Sequence, residues 1–241
     1  AVFINRKVEL DGLEQRYRSD QAELFVLYGR RRVGKTELLR EFCAGKPHLF
    51  FIATLSSDLE QLATFSQQVY GFTRTEVPAG FTFPTWEAAF RALGELPMQP
   101  KPVIVLDEFT YLISGNKAIP SILQKVWDER LKNTSIRLVL CGSYIGMMET
   151  EVLAYQAPLY GRRTASLLLR PMDLASSALF FPAYTPEEKF ITWAVVGGMP
   201  FYLRAFQGGR DVFANIRAHI LDAQSGTLYN EPRLLLMEEL R

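Results

Sequence analysis

"LYGRRRVGKTELL", residues 27–39, decides how the rest of the chain is read. Gly29 to Thr36 spells G-x-x-x-x-G-K-T, the spacing of a phosphate-binding loop. The glycines let the backbone take unusual dihedrals and approach an anion closely. The loop amides and the first turn of the following helix carry positive partial charge toward the phosphates. Lys35 is expected to reach the β- and γ-phosphates, and Thr36 to set its hydroxyl on Mg²⁺. Gly29, Arg32, Val33, Gly34 and Glu37 complete the candidate nucleotide-binding stretch. The motif requires a strand before it and a helix after it. "ELFVLY" (23–28) reads as a buried strand, and Lys35 to about Ala44 as a helix with Leu38, Leu39 and Phe42 on one side. Arg30 to Arg32 also admit two other readings, a solvated turn and a nucleic-acid patch.

A phosphate loop needs a metal partner downstream. "PVIVLDE" (102–108) is an apolar strand ending in two acids. Asp107 is expected to hold Mg²⁺ together with Thr36. Glu108, beside the γ-phosphate, is expected to polarise the attacking water as general base. "IRLVLCGS" (136–143) is a further strand, and Ser143 at its tip is expected to touch the γ-phosphate or position the water. Arg162 and Arg163, just before "TASLLLR" (164–170), are candidates for an arginine finger, because a guanidinium supplies rigid donors for phosphate oxygens. The base-reading motif of GTPases is missing: "GNKAIP" (115–120) has Asn and Lys without Asp and comes too early. ATP is therefore the expected nucleotide, with Mg²⁺.

Bulk composition fits this reading. The 241 residues are 48% hydrophobic with a formal net charge of +1, a globular balance with no whole-protein field toward nucleic acid or membrane. A DNA- or RNA-acting protein normally shows a basic stripe. No apolar run approaches the ~18 residues of a spanning helix, and a cytoplasmic, non-membrane protein is expected. Cys43 and Cys141 have neither metal nor disulfide spacing and sit in apolar contexts, so both are expected to be buried thiols. The start at Ala1 and the end inside "EPRLLLMEELR" suggest a fragment of a longer protein.

The first half alternates apolar runs with helical patterns, the mark of βαβ units and a parallel sheet. "HLFFIAT" (48–54) is another strand. Ser57 caps a helix bearing Leu59, Leu62 and Val69. Thr85 caps one bearing Trp86, Phe90, Leu93 and Leu96. Residues 119–133 are amphipathic through Ile122, Val126, Trp127 and Leu131. After Pro171 strands give way to helices. Thr185, Pro186 and Glu188 form a capping box, "GGMP" interrupts at 197–200, and Asp211 opens a helix running through Leu221.

These pieces together resemble the archaeal-type ATPase family, a branch of the AAA+-related STAND P-loop ATPases. The resemblance begins with "FINRKVELDGL" (3–13), continues through "GRRRVGKT", "VIVLDEF", "LCGS" and "LYGRRT", and ends with "GGMPFYL" and "EPRLLLMEELR". It implies an α/β P-loop NTPase fold with a parallel sheet in the order 5-1-4-3-2, followed by a small helical lid. It implies a core at 1–172, a lid at 173–225 and, at 226–241, the start of a truncated winged-helix-like segment. It also implies that Phe3, Asn5, Arg6 and Pro200 approach the adenine. The activity expected is slow ATP hydrolysis driving a conformational switch. The alternatives are a nucleotide-binding scaffold with negligible turnover and the ATPase module of a DNA-acting protein. The expected partners are ATP or ADP, a homo-oligomer or partner protein, and DNA through a region beyond this chain.

Overall fold

The computed structural model describes residues 3–74 and 76–239. It falls into two units. One comprises residues 7–29 and 35–168. The other gathers residues 1–6, 30–34 and 169–241.

The first unit is a five-stranded sheet with helices: β1 (Glu23–Tyr28), β2 (His48–Ile52), β3 (Val103–Asp107), β4 (Arg137–Gly142) and β5 (Ala165–Leu168), joined by α1 (Lys7–Arg18), α2 (Lys35–Cys43), α3 (Asp58–Gly71), α4 (Trp86–Leu93), α5 (Phe109–Gly115), α6 (Ile119–Glu129) and α7 (Ile145–Met148). The strand order is β2-β3-β4-β1-β5, every pairing parallel. This is the expected order 5-1-4-3-2, counted from the other edge. The central strands β1, β3 and β4 are buried nearly throughout, as apolar runs covered on both faces must be. Their side chains merge with those of α3, α4 and α6 into one core. Phe65, fully buried, stands in that core between Phe51, Trp86 and Phe90, its ring 5.2 to 5.7 Å from theirs.

Local signals hold where expected. Ser57 and Thr185 both complete capping boxes, and Thr85 accepts from the Ala88 amide. Some expectations are corrected. Leu59 is exposed, and Phe65 joins Leu62 and Val69 on the buried face of α3 instead. The helix expected over 119–133 breaks at Arg130 and ends as a 3₁₀ turn, Leu131–Asn133. The helix opened by Asp211 is regular only to Ile216 and finishes as a π turn, Arg217–Leu221.

The second unit is helical: α8 (Leu174–Ala178), α9 (Pro186–Val196), α10 (Pro200–Leu203), α11 (Val212–Ile216) and α12 (Glu231–Glu239). Phe181, Tyr184, Val196, Leu203, Phe206, Val212 and Leu228 form its own core. Gly198, just before α10, has a steric cause. The Met172 amide donates to the Gly198 carbonyl at 2.7 Å, and a Cβ on Gly198 would strike the Met172 backbone. Among the described residues, no helix is long and apolar enough to cross a membrane.

Both cysteines are free and buried. Burial pushes the Cys43 thiol up to about 11, against a small opposing pull from Lys46. Burial also raises Cys141, and the neighbouring Asp107 carboxylate adds to the effect. Thiolate is the reacting species. An aromatic disulfide reagent at pH 8 is therefore expected to label neither thiol in the native protein and both after denaturation; the released thiophenolate, followed by absorbance, checks this.

Candidate nucleotide site

A parallel sheet flanked by helices offers ligand sites beyond the carboxyl ends of its strands. Here β1, β3 and β4 finish at Tyr28, Asp107 and Gly142, and the register aligns them: Leu106 lies opposite Leu140, and Tyr28 opposite Gly142. The residues that follow these ends are Gly29, Glu108 and Ser143.

In the sheet unit, Lys35 is buried and its ammonium donates to the Gly29 carbonyl at 2.8 Å. Thr36 Oγ1 donates to Asp107 Oδ2 at 2.8 Å. The other Asp107 oxygen accepts from the Glu108 amide at 3.0 Å. Asp107 is only 2% exposed, so these bonds are what keeps a carboxylate tolerable there. Glu108 takes left-handed dihedrals, φ 52 and ψ 41, at the point where β3 turns into α5. Non-glycine residues adopt that region rarely. Ser143 Oγ donates to Glu108 Oε2 at 2.5 Å. Three separate stretches of the sequence thus supply two bonded pairs, Thr36–Asp107 and Ser143–Glu108, and one lysine, Lys35. Glu37 is exposed in the first turn of α2.

Arg162 and Arg163 are engaged in the same unit. Arg162 grips the Asp128 carboxylate, Nη2 at 2.8 Å, and that bond raises its basicity. Arg163 donates to the Leu153 carbonyl at 2.9 Å and lies over the Tyr160 ring. Asp128 carried no signal in the sequence, because an acid on an amphipathic helix face is ordinarily solvated.

The loop segment Arg30–Gly34 belongs to the helical unit, together with residues 1–6. Gly34 has φ 96, open only to glycine without strain. Arg32 reaches φ 69 despite its side chain, and Asn5 and Arg6 sit at φ 60 and 65. Val33 is fully buried. The Arg6 guanidinium, itself buried, donates to the Val33 carbonyl at 3.2 Å and to the Arg170 carbonyl at 2.8 Å. Asn5 Nδ2 donates to Ser176 Oγ at 2.5 Å. Phe3 is half-buried. Pro200 Cγ lies 3.6 Å from where a Cβ on Gly34 would stand. Sequence reasoning missed Tyr202 and Glu231, both of which meet Arg32.

Residues 3–206 match the family described as the ATPase domain predominantly from Archaea. The chain belongs to this family. An uncharacterized protein of Methanocaldococcus jannaschii is 33% identical over 202 residues, covering 84% of this chain and 43% of that protein. The ATPase domain thus spans less than half the length of that relative. A Walker-type ATPase of Pyrococcus abyssi superposes with a TM-score of 0.66 at 20% identity, over 99% of this chain and 77% of the other. A signal transduction ATPase with numerous domains from Pyrococcus horikoshii, bearing a tetratricopeptide repeat sensor, superposes with a TM-score of 0.52 at 17% identity, over 99% of this chain and 32% of the other. At those identities the two structures share the fold.

The Thr36–Asp107 bond makes a stability prediction for the ligand-free ATPase domain. Thr36→Val leaves a buried carboxylate oxygen without its donor, and is expected to lower unfolding stability by about 1–3 kcal/mol. Thr36→Ser keeps the donor and is expected to stay close to wild type. Urea unfolding followed by tryptophan fluorescence measures both.

Proposed function

We propose that this ATPase domain binds ATP with Mg²⁺, hydrolyses it slowly, and uses the difference between the two nucleotide states as a conformational switch. The observation that carries the reading is the pairing at the strand ends: Thr36 with Asp107, and Ser143 with Glu108. The first pair joins the two residues expected at the metal, and the second joins a residue expected at the γ-phosphate or the water to the expected general base.

The residues present suit Mg²⁺. Among the described residues there is no cluster of three or more His, Cys, Asp or Glu able to cage a metal. Mg²⁺ does not need one, since it keeps several waters and takes one or two protein oxygens plus substrate phosphates. The Thr36 hydroxyl and the Asp107 carboxylate are that oxygen pair. When bound, the ion neutralises charge on the β- and γ-phosphates.

The chain's own groups then have separate tasks. The Lys35 ammonium exchanges the Gly29 carbonyl for phosphate oxygens. The loop amides and the first turn of α2 supply further donors. Glu108 accepts a proton from the attacking water, and Ser143, already bonded to its carboxylate, fixes the direction in which it points. Phe3, Asn5, Arg6 and Pro200 are proposed near the adenine, and Arg6 also supports the Val33 carbonyl of the loop. Arg163 is the proposed finger toward a neighbour's γ-phosphate in an oligomer, because its partners are a carbonyl and a ring. Arg162 would first have to leave the Asp128 carboxylate. The switch reading draws support from the likeness to a signal transduction ATPase.

Two substitutions test the assignment. Lys35→Ala is expected to abolish measurable nucleotide binding. Glu108→Gln is expected to bind ATP as wild type does while turnover falls by about 10²–10⁴, the usual weight of a general base. Equilibrium binding of a fluorescent ATP analogue and a phosphate-release assay read the two effects separately. Normal turnover in Glu108→Gln would remove the general-base role.

A further inference from the structure

Arg32 is the non-glycine residue of the phosphate loop with a left-handed backbone, and its side chain meets Phe201, Tyr202 and Glu231 of the helical unit. Its guanidinium lies 4.6 Å from the centre of the Phe201 ring and 5.9 Å from that of Tyr202. It pairs with Glu231, a buried carboxylate at the first position of α12. Tyr202 donates its hydroxyl to the same carboxylate, Oε2, at 3.1 Å. The guanidinium thus has aromatic rings at its face and an acid at its edge, and the acid has a second donor. A non-glycine residue in the left-handed region persists when its surroundings over-determine it. The Phe201, Tyr202 and Glu231 side chains are what over-determine Arg32.

We infer that Glu231 and Tyr202 are positioning residues for the phosphate loop, acting through Arg32, so that nucleotide affinity is set in part by the start of α12. The inference rests on the ATP-binding reading above. Glu231 lies past residue 206, where the family match stops. The backbone amides of the loop bind phosphate only when their dihedrals are set, and Arg32 is one of those dihedrals. Arg6 braces the next residue, Val33, by its carbonyl. Arg6, from before the loop, and Glu231, from after it, therefore hold two consecutive loop residues, Val33 and Arg32.

Coupling of this kind is reciprocal. If α12 stabilises the binding form of the loop, nucleotide stabilises the attachment of α12 by the same factor. Whatever follows α12 in a longer chain would then feel the occupancy of the loop through one ion pair.

The test uses the full chain, with binding of a fluorescent ATP analogue and steady-state hydrolysis. Glu231→Gln keeps the shape of the acid and removes its charge; it is expected to raise Kd and KM by about tenfold with kcat retained. Tyr202→Phe keeps the ring, so it remains informative if Glu231→Gln folds poorly, and is expected to raise Kd in the same direction by less. Arg32→Ala combined with Glu231→Gln is expected to bind no worse than Arg32→Ala alone, because the two act as one unit. Unchanged Kd in Glu231→Gln and Tyr202→Phe, or a double variant whose losses add, would overturn the inference while leaving the ATPase reading intact. A wild type that binds no nucleotide would overturn both.

Discussion

In a parallel sheet all strands finish at one edge, and this constraint governs the candidate site. Because β1, β3 and β4 pair in register, Gly29, Asp107, Glu108 and Ser143 emerge side by side although the sequence separates them widely. The helix that follows β1 adds Lys35 and Thr36. No long-range loop has to fold around the chemistry. The strand ends bring it together, and apolar burial of the three strands holds it there.

The cost of this arrangement is local. A carboxylate at the end of a fully buried strand, Asp107, has to be satisfied by Thr36 and by the Glu108 amide. Glu108 itself takes a left-handed backbone to leave β3 and enter α5. The same economy appears in the helical unit, where Asn5, Arg6 and Arg32 hold positive φ under bonds from Ser176, Val33, Arg170 and Glu231. Strained residues in this protein lie next to the residues proposed to act, where surrounding bonds over-determine them.

Much of this was legible in the sequence. The five strands announce themselves as apolar runs, and their order follows from the family the motifs resemble. Lys35, Thr36, Asp107, Glu108 and Ser143 are readable because the spacing of the phosphate loop and the acid at a strand end each carry a mechanism. What escaped was of a different kind. Asp128 and Glu231 look like solvated acids on helices until a guanidinium is found against them. Leu59 fits the helical period but falls on the exposed side, and Phe65 takes the place beside Leu62 and Val69 on the buried face. Arg30–Gly34 fall in the helical unit alongside contacts of Arg6 with Val33 and Arg170 and of Arg32 with Glu231, and no local pattern encodes them.

The central claim is that ATP and Mg²⁺ bind at the ends of β1 and β3. A crystal structure of the protein with a non-hydrolysable ATP analogue and Mg²⁺ tests it most directly. The account predicts the Lys35 ammonium on the β- and γ-phosphates and Mg²⁺ about 2.1 Å from the Thr36 hydroxyl, with Asp107 bound to it directly or through water. Phosphates found away from the 29–36 loop, or a Lys35 still bonded to Gly29 beside bound nucleotide, would contradict it.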